Sequence, residues 1–389
     1  MLIITLLSLG TLCLLLAVYP FGPYQASLLL ARRLRPAPPV PQPSPTAPIE
    51  TFAICLCAHN EAGVIDAKVA DLLRLRAAAG ALDILVYVDA ASDGTAEILE
   101  RYRDQITLVV SHERHGKTYG MNLLVGMTRA SVVMFTDATV RIDPDAVAVL
   151  RRYFADPSIG CVCSHLTYVN DDAGATAAVG SAYWRLNEWT RGLETDTGSA
   201  IGGDGSLFAM RRALHRPVPT GLFDDFYLPL VTMIEGHRVV RAPELRAYEP
   251  HTTSAEDEFK RKIRIACEAL AVHVTLWPRL KRLAAWNLYK YLMCKVARWF
   301  GGWLMLAGVA LLSTAAALTI GPWPTTALLA IGVMAFWSAL RLRIALVEKV
   351  WNILLAFAGN AIGAAQALRG RRAVTWDVAT SARAGRAVE

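Results

Sequence analysis

Across 389 residues the chain is 54% hydrophobic with a formal net charge of +7, and its mean hydropathy is +0.34. That composition argues against a soluble enzyme built on one core, and the length leaves room for a folded domain beside membrane-embedded segments. The basic surplus sits in arginines beside apolar segments (Arg32, Arg33, Arg35; Arg341, Arg343; Arg369, Arg371, Arg372), which fits anionic headgroups or a diphosphate better than nucleic acid.

Residues 1–19 are almost wholly apolar and the first charge arrives at Arg32. Positive charges that follow the apolar run predict an uncleaved anchor over 1–24 with its N-terminus outside. Residues 25–50 read as a basic, proline-rich linker. From 51 to 275 short apolar runs alternate with amphipathic ones. FAICLCAH, DILVYVDA, ITLVVS, SVVMFTDA and GCVCSHL read as strands, and 61–79, TAEILERYR and GKTYGMNLLVGMTRA as helices. This alternation predicts an α/β domain with helices on both faces of the sheet. Each C-x-C pair, Cys55/Cys57 and Cys161/Cys163, falls in a strand, so both thiols share one face and read as buried core thiols rather than a zinc knuckle. Beyond the domain, 276–299 mixes aromatic and basic residues as an interfacial helix does. Residues 300–340 read as a transmembrane hairpin around GPWP. Residues 341–389 read as an interfacial or re-entrant helix, apolar at 344–367 but carrying Glu348 and Lys349, with a basic tail.

In an open α/β sheet, ligands bind beyond the carboxyl ends of the strands. His59, Asn60 and Glu61 follow the first strand, Asp89 to Asp93 the second, and Asp137 the fourth. In VYVDAASDGTAEI a carboxylate can accept from a base or ribose while Ser92 or Asp93 caps a helix; a cap alone is the competing reading. Lys117 in HGKTYGMN suits a phosphate or base. Asp137 ends a buried strand, where an uncompensated carboxylate is costly, so a divalent cation or a turn-capping role would account for it. In IGGDGSLFAMRR the glycines let backbone approach a ligand closely. The pair Asp224–Asp225 supplies one capping carboxylate and one free for a pocket, where like charges favour a general base; two solvated carboxylates is the plainer alternative. Arg261 and Arg264 are three apart and share a helix face, facing either a departing diphosphate or solvent near lipid.

Over 51–266 the order of these segments resembles the family 2 glycosyltransferases, the inverting family that includes cellulose, hyaluronan and chitin synthases. CAHNEAGVI looks like its opening strand and NE turn, DAASDGT its first Asp motif, GKTYGMN its GK…N segment and FTDAT its DxD position. GGDGSLFAMRR looks like its acceptor-side glycine motif, FDD its ED motif and RKIRI its QxxRW. The resemblance implies a GT-A-type, Rossmann-like mixed sheet with N- and C-terminal transmembrane and interfacial helices. It implies a nucleotide-sugar donor, expected to be UDP-linked, held by Asn60, Glu61, Asp89, Asp93, Lys117, Asp137, Arg261 and Arg264. Asp137 would be the Mg2+ or Mn2+ ligand and Asp225 the catalytic base, with Gly203, Asp204, Gly205 and Asp224 on the acceptor side. Thr139 stands where DxD has its second acid, Arg261 where QxxRW has glutamine and Ile265 where it has tryptophan. The expected activity is a single transfer to a lipid or lipid-linked acceptor at the inner (plasma) membrane, the domain cytosolic. The rivals are a processive synthase and a non-catalytic nucleotide-sugar sensor.

Overall fold

The computed structural model describes residues 1–34, 50–169, 175–203, 205–249 and 255–370, with backbone alone at 175–183 and 255–258. Asp204, most of the proline-rich linker and the arginine tail from Arg371 lie outside the described residues. In chain order the helices α1 (Leu2–Val18) and α2 (Pro23–Leu34) precede β1 (Phe52–Ala58), α3 (Ile65–Ala79), β2 (Asp83–Asp89), α4 (Thr95–Glu100) and β3 (Thr107–Ser111). There follow α5 (Lys117–Met127), β4 (Val132–Thr136), β5 (Arg141–Ile142), α6 (Ala146–Phe154), β6 (Ile159–Tyr168), α7 (Ala175–Asp196) and β7 (Leu207–Arg211). The chain continues through α8 (Asp224–Ile234), β8 (Arg238–Glu249), α9 (Ala255–Leu280), α10 (Ala285–Tyr291), α11 (Ala297–Ile320), α12 (Pro322–Arg341) and α13 (Ala345–Leu368).

The chain divides into two compact units. One takes in residues 28–257 and 271–288; the other takes in 1–27, 258–270 and the described chain from Tyr289 onward. The first unit is built on an eight-stranded mixed sheet in the order β3-β2-β1-β4-β7-β6-β8-β5. Strands β3, β2, β1 and β4 are parallel, β7 runs antiparallel to β4, and β6 antiparallel to β7. All five strands predicted from the sequence are present. The short antiparallel β5 and the long β8 complete the far edge.

Every residue of β1 is buried, as expected for a central strand covered on both faces. Phe52, Ile54, Leu56 and Ala58 join Val69, Leu72 and Leu75 of α3 in the larger core. The opposite face carries Cys55, Cys57, Cys161 and Cys163, all buried and none in a disulfide. There Phe135 stacks on Phe208 with ring centroids 4.7 Å apart. Burial pushes the Cys55 thiol up to about 12, so it behaves as a small apolar side chain. Helix α5 lies against this face at Gly120, where a Cβ would sit 2.7 Å from Cys57 Sγ and collide with the Tyr87 ring.

The second unit holds long apolar helices. Among the described residues four segments are long and apolar enough to cross a membrane: Leu2–Phe21, Ala285–Ile320, Pro322–Arg341 and Ala345–Leu368. The sequence predicts three; the fourth qualifies because Glu348 and Lys349 fall in the first turns of α13 and leave the rest apolar. The interfacial helix expected over 276–299 is instead shared between the end of α9 and a continuous segment of α10, a π-helical turn at Leu292–Val296 and α11. Residues 25–34, expected to open the linker, are helical in α2, whose last turn carries Arg32 and Arg33. Helices α1 and α11 cross closely through Gly10 and Gly308, where a Cβ on either would lie about as near the other's carbonyl oxygen (3.2 and 3.0 Å) as packing permits.

Candidate active site

The carboxyl ends of β1, β2 and β4 and the N-termini of α5 and α8 gather the predicted residues of the first unit. Asn60 and Ala90, directly after β1 and β2, both take left-handed backbone (φ 53° and 50°), a conformation asparagine tolerates and alanine rarely adopts. Ala90 N donates to Ser111 O at 3.0 Å, and hydrogen bonds between the two loops order the rest. Asn60 Oδ1 accepts from Ser92 N at 2.8 Å, and Glu61 N donates to Thr95 Oγ1 at 2.8 Å. Asp93 accepts from Thr95 N and its hydroxyl on one oxygen and from Ala62 N on the other. Burial alone would raise the Asp93 carboxyl, but these hydrogen bonds outweigh it and hold it below the usual range. The buried Asp89 receives His115 N at 2.8 Å on Oδ1 and Gly116 N at 3.0 Å on Oδ2. Asp89 and Asp93 therefore both fasten site loops, and Asp89 carries the loop that delivers Lys117. Beside it His115 stacks on Tyr119 at 4.4 Å, and Tyr119 is exposed, a flat aromatic face at the strand ends.

Lys117 opens α5 and points between two carboxylate groups. Its Nζ lies 2.8 Å from Asp137 Oδ1 and 3.7 Å from Asp224 Oδ2. Burial of the ammonium would lower its pKa, yet Asp137, Asp224 and Asp225 reverse that and raise it above the ordinary lysine value. The cation is fixed, and it links the strand-end carboxylate to the Asp-Asp pair. Asp224 is 3% exposed while Asp225, next in the first turn of α8, is partly exposed. The N-terminal end of α8 favours both charges.

The glycine motif is shaped around Asp225. Gly203 N donates to Asp225 O at 2.9 Å, and a Cβ at Gly203 would stand 2.6 Å from that same oxygen. A Cβ at Gly205 would stand 3.0 Å from Asp225 Oδ2. The close approach expected of these glycines is thus to the Asp225 backbone and carboxylate. Behind the loop, Arg191 donates to Gly203 O at 2.9 Å and pairs with the buried Glu188, which also holds Arg241 and His165.

Among the described residues no three His, Cys, Asp or Glu side chains are grouped to hold a metal by themselves. Asp137 is 40% exposed at the end of β4, and the Thr139 hydroxyl in place of a second acid points to Glu249 Oε1 at 3.4 Å. One accessible carboxylate fits a hard cation that arrives with most of its oxygen ligands on another molecule. Arg261 and Arg264 lie on α9 in the stretch belonging to the other unit. The Trp184 ring is committed to the fold: its Nε1 donates to Leu166 O and Arg191 covers its face. Trp189 is exposed.

The sequence reading passed over Lys68 and Thr136, both buried beneath the site. A signal existed: Lys68 falls on the apolar stripe of α3, three residues after Ile65 and four before Leu72.

Residues 53–218 match the family model described as glycosyl transferase family 2. Among solved structures, a mannosyltransferase from Pyrobaculum calidifontis, in complex with GDP-Man and Mn2+, aligns at a TM-score of 0.70 and 22% identity over 94% of this chain and 100% of its own. Mannosyl-3-phosphoglycerate synthase from Rubrobacter xylanophilus aligns at 0.42 and 18% identity over 60% of this chain and 77% of its own. Glucosyl-3-phosphoglycerate synthase from Mycobacterium tuberculosis, with Mn2+, UDP and phosphoglyceric acid, aligns at 0.41 and 18% over 59% and 78%. No curated protein matches the sequence.

Proposed function

From the premise that residues 53–218 form a family 2 glycosyltransferase domain and that the chain is a glycosyltransferase, we propose a membrane-bound, inverting transfer of one sugar from a nucleotide-sugar to a lipid or lipid-linked acceptor. The observation that carries this reading is the Lys117 bridge between Asp137 and the Asp224–Asp225 pair, in a chain with apolar helices long enough to span a bilayer.

Asp225 would take the proton of an acceptor hydroxyl as that oxygen attacks the anomeric carbon from the face opposite the leaving diphosphate. Inversion follows from a single in-line displacement. Lys117, held charged among the carboxylates, would offset the charge of the departing phosphates. A divalent cation, Mg2+ or Mn2+, bound by Asp137 together with donor oxygens would neutralise the same leaving group. Asn60, Glu61, Asp89 and Asp93 order the loops around the nucleoside, with His115 and Tyr119 offering a stacking face. Arg261 and Arg264 are assigned to the diphosphate by their place in the RKIRI segment. The Pyrobaculum enzyme was solved with GDP-Man, so guanosine joins uridine as a donor base to be tested.

Contacts within the helical unit support three spans with α13 lying at the interface. The middle of α13, at Phe357 and Ala361, packs on Gly301 and Gly302 near the start of α11, level with Ala17 at the end of α1. The same stretch of α13, at Gly359 and Gly363, packs on Phe259, Ile263 and Ala266 of α9. A spanning α13 would be deep in the bilayer by Phe357, about 18 Å along the helix axis from Ala345. An interfacial α13 accords with the positive-inside bias for the arginines that follow it in the sequence. Ile265 is exposed and carries no ring, which supports one or few transfers over a polymer.

The test is the purified protein in lipid nanodiscs, with membrane lipid extract and a panel of labelled UDP- and GDP-sugars. One donor should label a solvent-extractable product by one sugar. A ladder of long chains would favour the synthase, and binding without turnover would favour the sensor.

A further inference from the structure

Lys68 is an unusual residue for its place. It lies on the core face of α3, 3% exposed, beneath the ends of β4 and β7. Isolating an ammonium there is costly unless its hydrogen bonds and charge are answered. The Lys68 Nζ donates to Val140 O and, at 3.2 Å, to Thr136 Oγ1. The Thr136 hydroxyl in turn donates to Ser206 O at 3.0 Å. One turn further along α3, Asp71 Oδ2 accepts from Ile142 N at 3.1 Å. Val140 and Ile142 close the turn that begins at Asp137; Ser206 directly follows Gly205, which abuts the Asp225 carboxylate. One buried ammonium is therefore hydrogen-bonded to the loop of the strand-end carboxylate and, through one hydroxyl, to the loop that seats the base.

Building on the function proposed above, we propose that Lys68 is a positioning residue that holds the Asp137 turn and the Gly205–Ser206 segment in one register, so that donor and acceptor sides meet at the required distance. Its charge has a matching role. Burial pulls the lysine down to about 8, while Asp71, Asp137 and Glu249 act to raise it. The ammonium thus serves as a buried counter-charge to Asp71, Asp137 and Glu249. Lys117 and Lys68 divide the labour: the first faces the ligand, the second the scaffold.

The experiment compares the wild-type chain with Lys68→Met, Lys68→Arg and Thr136→Val in nanodiscs. It reads sugar transfer, binding of UDP and GDP with and without Mn2+, and amide hydrogen exchange. Lys68→Met should speed exchange in both 139–142 and 205–207, weaken the Mn2+-dependent part of nucleoside diphosphate binding, and lower kcat by about 10- to 100-fold, the scale of a misplacement near 1 Å. Thr136→Val should loosen 205–207 while leaving 139–142 protected, because the Lys68 bond to Val140 O survives. Lys68→Arg should restore part of kcat. If Lys68→Met does not fold, the Thr136→Val pattern alone decides. Exchange unchanged at 205–207 in Thr136→Val, or a folded Lys68→Met with wild-type kcat and Mn2+ response, would overturn the proposal. Wild-type protein that transfers no sugar would instead overturn the function it rests on.

Discussion

Alanine at two glycines only two residues apart should fail in different ways. At Gly203 the new Cβ would stand 2.6 Å from Asp225 O and 3.1 Å from Pro229 Cγ, and the Gly203 N–Asp225 O hydrogen bond of 2.9 Å would be forced apart. Both obstacles belong to the first turns of α8 and cannot swing away. Overpacking costs about 1–3 kcal/mol and a lost buried hydrogen bond about 1 kcal/mol, so Gly203→Ala should lose ~2–4 kcal/mol of stability. At Gly205 the nearest atom is Asp225 Oδ2 at 3.0 Å, the tip of a side chain that can rotate. The stability cost there should stay below about 1 kcal/mol. The carboxylate, however, must leave its position, and displacement on the 1 Å scale costs roughly 10²-fold in rate. Gly205→Ala should therefore melt within a few degrees of wild type, bind nucleoside diphosphate normally and lose about 10- to 100-fold in kcat. Thermal unfolding, calorimetric binding and transfer kinetics on both variants check this. Gly205→Ala with wild-type kcat, or with the instability of Gly203→Ala, would refute the placement of Asp225 against the glycine loop.

Burial lowers the His215 imidazole to about 4, with Arg216 adding to the effect, and the ring stacks on Phe135 at 6.3 Å. The unfolded chain binds this proton near 6.5 and the folded chain only near 4. The stability from the neutral ring is thus complete above pH 6.5 and is lost as pH falls toward 4, up to about 3 kcal/mol in all. His215→Phe keeps the stacking ring, so its stability relative to wild type should rise across that window; a pH-independent difference would contradict the assignment. Removing divalent cations with excess EDTA should abolish transfer, and Mn2+ or Mg2+ should restore it, since Asp137 offers a single carboxylate; full activity without metal would contradict this. Single-cysteine labelling at residue 380 should succeed only from the side that carries the catalytic domain. Labelling from the opposite side would mean that α13 spans.

How much of this was legible in the sequence differs by kind of residue. The central strands declared themselves because burial on both faces makes them continuous apolar runs, as in FAICLCA. Strand β8 did not, because Pro243 and Glu244 interrupt it; the pairing jumps there, from Cys163 with Arg241 to His165 with Arg246, so the interruption is a bulge within the strand. Strand β5, two residues long, carries no periodicity to read. The site motifs gave residue types but not orientations. Nothing local tells that both oxygens of Asp89 are taken by the amides of His115 and Gly116, or that the glycines face Asp225, because those partners are far apart in the chain. The helical tail was misdivided for a different reason: aromatic and basic residues at 285–299 resemble an interfacial helix, yet they begin a helix that runs on through Ile320.

Whether Asp225 is the base of a sugar transfer is decided by Asp225→Asn in nanodiscs, with nucleoside diphosphate binding and transfer measured on the same preparation. Binding should stay within twofold of wild type and transfer should fall by about 10²–10⁴-fold, the share of a general base. Transfer retained at the wild-type rate, or lost only in proportion to weakened binding, would contradict it.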